Sequence, residues 1–142
     1  MERVEIRRNI WIAAPRERVW KAVTEANQLA QWFAPGSDFS QEDDKIIVKV
    51  GDTVVAVVLI EVNDPPRQIT TRTLPDKLIT TTYLLEEDNG GTRFTVIEAG
   101  LEALDEEARK QHLDQDSAGC EMALANLKAY LDGLPLPRPE GF

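Results

Sequence analysis

Cysteine and histidine are almost absent from this 142-residue chain, which holds one of each, Cys120 and His112. A lone cysteine excludes an intramolecular disulfide and any multi-cysteine zinc site, and it fits a reducing compartment. A lone histidine excludes a two-histidine metal site within one chain, and no local motif places a serine beside it for a triad. Long apolar runs are missing too. No stretch approaches the roughly 18 apolar residues of a membrane helix, and the opening residues Met1 to Arg8 lack the apolar run of a secretory signal. Basic excess is the last absence: 16 Lys and Arg stand against 25 Asp and Glu, a net charge of −9 that would repel a polyanion. The expectation is a cytoplasmic protein without nucleic acid, membrane span, metal or cofactor.

What is present suits a folded globular chain, with 42% hydrophobic and 29% charged residues. The length allows one domain with a real core. We place that domain at residues 1–134 and read 135–142, with Pro135, Pro137 and Pro139, as an extended tail.

Val4, Ile6, Ile10 and Ile12 occupy even positions, the period of a strand with one buried face, and Arg8 interrupts the series. Pro15 suits a first helical turn, after which Val19, Trp20 and Val23 recur at helical spacing until about Asn27. Asn27 is read as the cap of a second short helix carrying Leu29, Trp32 and Phe33, stopped by Ala34-Pro35-Gly36. From about residue 38 to 100 strand-like runs follow one another: KIIVKV, TVVAVVLIEV, RQITTRTL, LITTTYLLEE and TRFTVIEA. Turn chemistry at Gly51-Asp52, Asn63 to Pro66, Pro75-Asp76 and Asp88 to Gly91 separates them, giving an antiparallel meander. Asp105-Glu106-Glu107 then marks the start of a helix of about 25 residues, ended by Gly133 and Pro135. The order is an α+β fold, with the early helix pair closing one end of a curved sheet and the late helix covering its open face.

Order and local words together resemble the START/birch-pollen-allergen (SRPBCC) superfamily, and within it the bacterial proteins similar to the activator of the heat-shock-protein-90 ATPase. The words are IWIAAPRERVWKAVTEANQLAQWFAPG, VNDPPRQI, GGTRFTVIEAGLEALDEEAR and ALANLKAYLDG, within residues 4 to 133. The resemblance implies a helix-grip fold, a bent antiparallel sheet around a long C-terminal helix, with a cavity for a hydrophobic or amphipathic small molecule. Its members include lipid carriers, hormone receptors, cyclases and co-chaperone domains, so fold leaves function open. Members of the bacterial family often carry Gly-Trp in the long helix where this chain reads Gly119-Cys120, which trades a large ring for a small thiol.

Candidate cavity residues on this reading are Trp20, Trp32, Phe33, Thr71, Thr73, Thr81, Tyr83, Phe94, Val96, Glu98, Cys120 and Leu124. If Ile69, Thr71 and Thr73 share a face with Thr81, Tyr83 and Leu85, the inner surface mixes hydroxyls with apolar groups; the opposite phase puts the threonines in water. Glu98 is expected at the sheet rim, in water or paired with Arg8, with burial inside the cavity as the alternative. His112 is expected as a surface or lid-side residue rather than a general base, and Cys120 as a packed thiol rather than a nucleophile. Trp11, out of phase with its neighbours, and the run Val54 to Ile60, apolar on both faces, raise the prospect of a partner or a homodimer on the outer face. Binding of a small molecule is the leading expectation. A co-chaperone-like interaction module and a cyclase- or hydrolase-like enzyme using Glu98, His112 or Tyr83 remain the alternatives.

Overall fold

The computed structural model describes residues 4–33, 37–73 and 79–137, with the side chains at 55, 73 and 115–120 left out. Strand β1 (Glu5–Ile12) leads into helices α1 (Arg16–Thr24) and α2 (Ala26–Trp32). Six strands follow: β2 (Asp38–Glu42), β3 (Lys45–Val50), β4 (Thr53–Asp64), β5 (Gln68–Thr73), β6 (Thr80–Asp88) and β7 (Gly91–Ala99). A short 3-10 turn (Leu101–Ala103) precedes α3 (Glu106–Asp132). Among the described residues the strands form one antiparallel sheet in the order β1-β7-β6-β5-β4-β3-β2. The meander is sequential because each turn is short; only β1 is added from the start of the chain, beside β7. This is the helix-grip α+β architecture.

Two boundaries differ from the sequence reading. Glu25, not Asn27, separates the two short helices, and its extended backbone (φ −81°, ψ 130°) marks the break. Strand β2, DFSQE, was not singled out as a strand; it is short, polar and largely exposed, which is how an edge strand avoids pairing with another chain.

Helix α3 starts at the acidic stretch Asp105-Glu106-Glu107, as the sequence predicts. The Asp105 carboxylate accepts a hydrogen bond from the Ala108 N–H at 2.8 Å, satisfying one of the donors a helix start leaves over. Gly133 ends it at φ 74°, a left-handed conformation that costs glycine little. At 27 residues the helix is about 40 Å long at ~1.5 Å per residue.

The core lies between the concave sheet face and the helices, and includes Ile12, Val19, Ala22, Val23, Leu29, Trp32, Leu85, Phe94, Leu124 and Leu127. Burying these side chains supplies the main driving force. Two polar contacts fix the helix geometry within it. The Trp32 indole N–H donates to the Ala22 carbonyl at 2.7 Å, and the fully buried Asn126 side chain donates from Nδ2 to the Trp32 carbonyl at 3.1 Å. Leu136, which the sequence reading left in the tail, packs against this core.

Trp11 is not a free handle on the outer face. Its indole N–H donates to the Asp88 carbonyl at 2.8 Å, and its ring lies so close to Gly91 that an added Cβ would sit 2.7 Å from the ring and 2.4 Å from the Ile12 carbonyl oxygen. Gly91→Ala should therefore destabilise by about 1–3 kcal/mol through overpacking, read from the midpoint of chemical denaturation. Asn126→Ala removes the donor to the Trp32 carbonyl inside the core. The same measurement should show a loss of about 1–3 kcal/mol; an unchanged midpoint would remove the contact from any structural role.

Candidate functional site

The pairing register decides which side chains share the concave face. Leu85 on β6 is 1% exposed and belongs to the core, so Tyr83 and Thr81, two and four residues before it, stand on the same face. Ile69 pairs with Tyr83 and Thr71 with Thr81, which puts Ile69 and Thr71 on that face as well. On β7, Phe94 pairs with Leu85, Val96 with Tyr83 and Glu98 with Thr81. On β1, Ile6 pairs with Glu98 and Arg8 with Val96. A row therefore crosses four strands as Ile6, Glu98, Thr81 and Thr71, and the neighbouring row as Arg8, Val96, Tyr83 and Ile69.

The first of these rows is the polar one. Its three polar members are partly buried, with hydroxyls on Thr71 and Thr81 beside the Glu98 carboxylate. Helix α3 brings His112 to the same place: Nε2 lies 3.6 Å from Glu98 Oε1, with side-chain exposures of 24% and 14%. The two form a charged pair only when the imidazole is protonated. Arg8, which interrupts the apolar series of β1, also points toward α3, and its Nε lies 3.6 Å from Oε1 of Glu121. Glu98 is thus more enclosed than a rim carboxylate, and His112 is a partner of the sheet rather than a surface residue. Nothing local in the sequence announces this meeting, because Glu98 and His112 belong to different elements joined through the 3-10 turn.

The other candidates fall into two groups. Trp32, Phe94, Val96 and Leu124, at 9% exposure or less, are core residues that hold the helices on the sheet. Trp20, Phe33 and Tyr83 are partly buried and pack against that core. Phe33 stands edge-on to Trp32 at 5.5 Å and to Phe39 at 6.3 Å, and Tyr83 lies 5.2 Å from Phe94. The side chains of Thr73 and Cys120 lie outside those described, and with them the question of what replaces a ring at Gly119-Cys120. Among the described residues no cluster of three or more His, Cys, Asp or Glu is arranged to hold a metal, and no helix is long and apolar enough to cross a membrane.

Sequence reasoning missed two partners. Glu121 was legible in principle, since an arginine in an inward phase needs a counter-charge from the covering helix. Asn126 was not, because an asparagine within a helical pattern reads as an exposed position until the packing is known.

This arrangement of sheet and helix matches many solved structures. The Aha1 dimer from Colwellia psychrerythraea superposes with a TM-score of 0.74 at 18% identity, covering 90% of this chain and 96% of that one. CalU16 from Micromonospora echinospora gives 0.66 at 25% identity, covering 96% and 78%. Protein MLL2253 from Mesorhizobium loti gives 0.75 at 15% identity, covering 94% and 100%. No curated protein matches the sequence. A family model, in contrast, matches residues 13–132, nearly the whole fold from the end of β1 to the last residue of α3. The chain belongs to the family described as Activator of Hsp90 ATPase homolog 1-like protein.

Proposed function

We propose that the protein binds a hydrophobic or amphipathic small molecule between the concave sheet face and α3, in the cytoplasm and without catalysis. The observation that carries this reading is the partly buried polar row of Thr71, Thr81 and Glu98, flanked by His112, on a face that otherwise carries Ile6, Ile69, Tyr83 and Val96 together with Arg8. Apolar walls with a few polar groups at one place are what an orienting ligand site requires: burial supplies affinity, and unmatched polar groups reject ligands that lack a complement. Tyr83 serves both ends of that requirement, with a ring on Phe94 and a hydroxyl capable of hydrogen bonding.

Purified protein should release a bound compound on organic extraction, detected by mass spectrometry. A panel of fatty acids, aromatic metabolites and sterol-like compounds should contain at least one class that raises the Tm with concentration, as any ligand of the native state must. Glu98→Gln and Thr81→Val should each weaken that ligand about three- to tenfold, the size of one lost hydrogen bond. A panel in which nothing binds would overturn the reading.

A second reading rests on the outer face. Val54 and Val62 of β4 are 51% and 41% exposed there, next to partly buried Val57 and Leu59, and the Colwellia relative is a dimer. An interaction module, homodimeric or joined to a larger partner, would cover such a strip. Light scattering after gel filtration should then give twice the 15.9 kDa chain mass, reverting to one on Val54→Lys with Val62→Lys. A monomer at all concentrations would remove the homodimer.

A further inference from the structure

A cleft of about 370 Å³ opens away from the concave row, where the start of α1, the turn between β4 and β5 and the end of β6 meet. Six residues along β6 separate Thr81 from Glu87, roughly 20 Å at ~3.3 Å per residue, so this is a different place from the proposed ligand site. Two of the words that carry the sequence resemblance, one around Pro15-Arg16 and one around Pro66-Arg67, come together here, and the small-molecule reading uses neither Arg16 nor Arg67.

We propose that this cleft docks an extended peptide that presents a carboxylate, with the guanidinium of Arg16 as its receptor. The first support is a donor without an acceptor. Among the described residues, Arg16 Nε is buried and has no hydrogen-bond partner, and Nη2 on the same edge of the guanidinium lies 3.7 Å from Glu87 Oε1, beyond hydrogen-bond distance. An Nε/Nη2 edge is a fork that matches the two oxygens of a carboxylate. The Arg16 side chain is only 23% exposed, which holds the fork in place, whereas Glu87 is 72% exposed and free to swing into water as a ligand enters.

The second support is an open strand edge. Strand β5 begins at Gln68, paired with Leu84, while β6 continues to Asp88. Among the described residues the ladder from Glu86 to Asp88 continues on the β7 side alone. The Leu85 N–H still donates to the Arg67 carbonyl at 2.8 Å, but the Arg67 N–H turns back to the Asp64 carbonyl, also at 2.8 Å, and the ladder stops. Glu86 and Glu87 line the cleft, and since ladder groups alternate sides and Leu85 faces β5, the Glu87 N–H and C=O face the open side, where a short extended segment could add. The lining sets Arg16 and Arg67 against Asp64, Glu86 and Glu87, with Arg67 already paired with Asp64 and both glutamates exposed. Net charge therefore does not draw the ligand in; a carboxylate competes with Glu87 for Arg16 by matching the Nε/Nη2 fork, which Glu87 does not. The small volume suits a short segment rather than a folded partner surface.

Nuclear magnetic resonance titration of the ¹⁵N-labelled protein tests this with acetyl-trialanine as free acid, the same peptide as its C-terminal amide, and sodium acetate. The free acid should shift the Arg16 Nε–H and the amides of Leu85 to Asp88, and the amide form should bind at least tenfold more weakly. Arg16→Lys, which keeps the charge and loses the fork, should weaken the acid by a similar factor, and Glu87→Gln, which removes the competing carboxylate, should tighten it. Equal binding of acid and amide would overturn the role of Arg16. Equal binding of acetate and the peptide acid would overturn the role of the β6 edge, and no shift with any probe would overturn the site.

Discussion

Three helices meet at Trp32, and the position of everything above the sheet follows from that contact. Its indole N–H is held by the Ala22 carbonyl of α1, and its own carbonyl is held by Asn126 of α3. Both bonds are buried, where an unmade hydrogen bond costs far more than a made one contributes. The pair therefore acts as a register pin. Apolar packing of Leu124 and Leu127 would tolerate a helix sliding or rotating by a fraction of a turn, but the Asn126 amide would then lose its acceptor.

The opposite end of α3 is held by different chemistry. The Arg109 guanidinium donates to the carbonyls of Leu101, Glu102 and Leu104, which ties the first turns of the helix to the segment that leaves β7. The Val4 N–H reaches the Glu102 carboxylate and closes the start of the chain onto the same turn. Between these anchors lies the stretch of α3 that carries His112 and Glu121 over Glu98 and Arg8. A helix pinned by apolar and amide contacts at one end and by an arginine at the other can carry charged groups over a sheet without losing its place. Those pairs stand 3.6 Å apart and are partly solvated, so each contributes little to stability. Their effect is on the character of the surface, where Glu98 in one row and Arg8 in the next bring charge among Ile6, Val96 and Ile69.

The sheet is asymmetric in the same way. Its core strands β7 and β6 carry Phe94, Val96 and Leu85, and the far strands β4 and β3 carry register shifts, one between Ile60 and Val62 and one between Val48 and Lys49. Bulges of this kind add twist and bend, which lets a single sheet curve around a helix. The first places Glu61 beside Arg72 on the outer face, where both carboxylate oxygens lie 2.7 Å from the Arg72 Nε. It also leaves Val62 exposed. The start of β5 has a related consequence at the same end of the sheet, since β6 runs past Gln68 and leaves a gap beside Arg16.

Much of this was written locally. The alternation of Ile6, Ile10 and Ile12, the Pro15 start of α1, the turn residues between strands, the acidic start of α3 and the Gly133 stop each act within a few residues, so the chain alone determined the α+β class and the order of its elements apart from the polar edge strand β2. The row of Glu98 with His112, the turn of Arg8 toward Glu121, the placing of Trp11 on Gly91 and the seating of Arg16 beside Glu87 were decided only by the tertiary structure. The reason is physical. A local pattern states which face of an element is apolar, but a polar side chain on that face is given its meaning by whatever crosses it, and those partners come from residues tens of positions away whose register is set by the whole packed core.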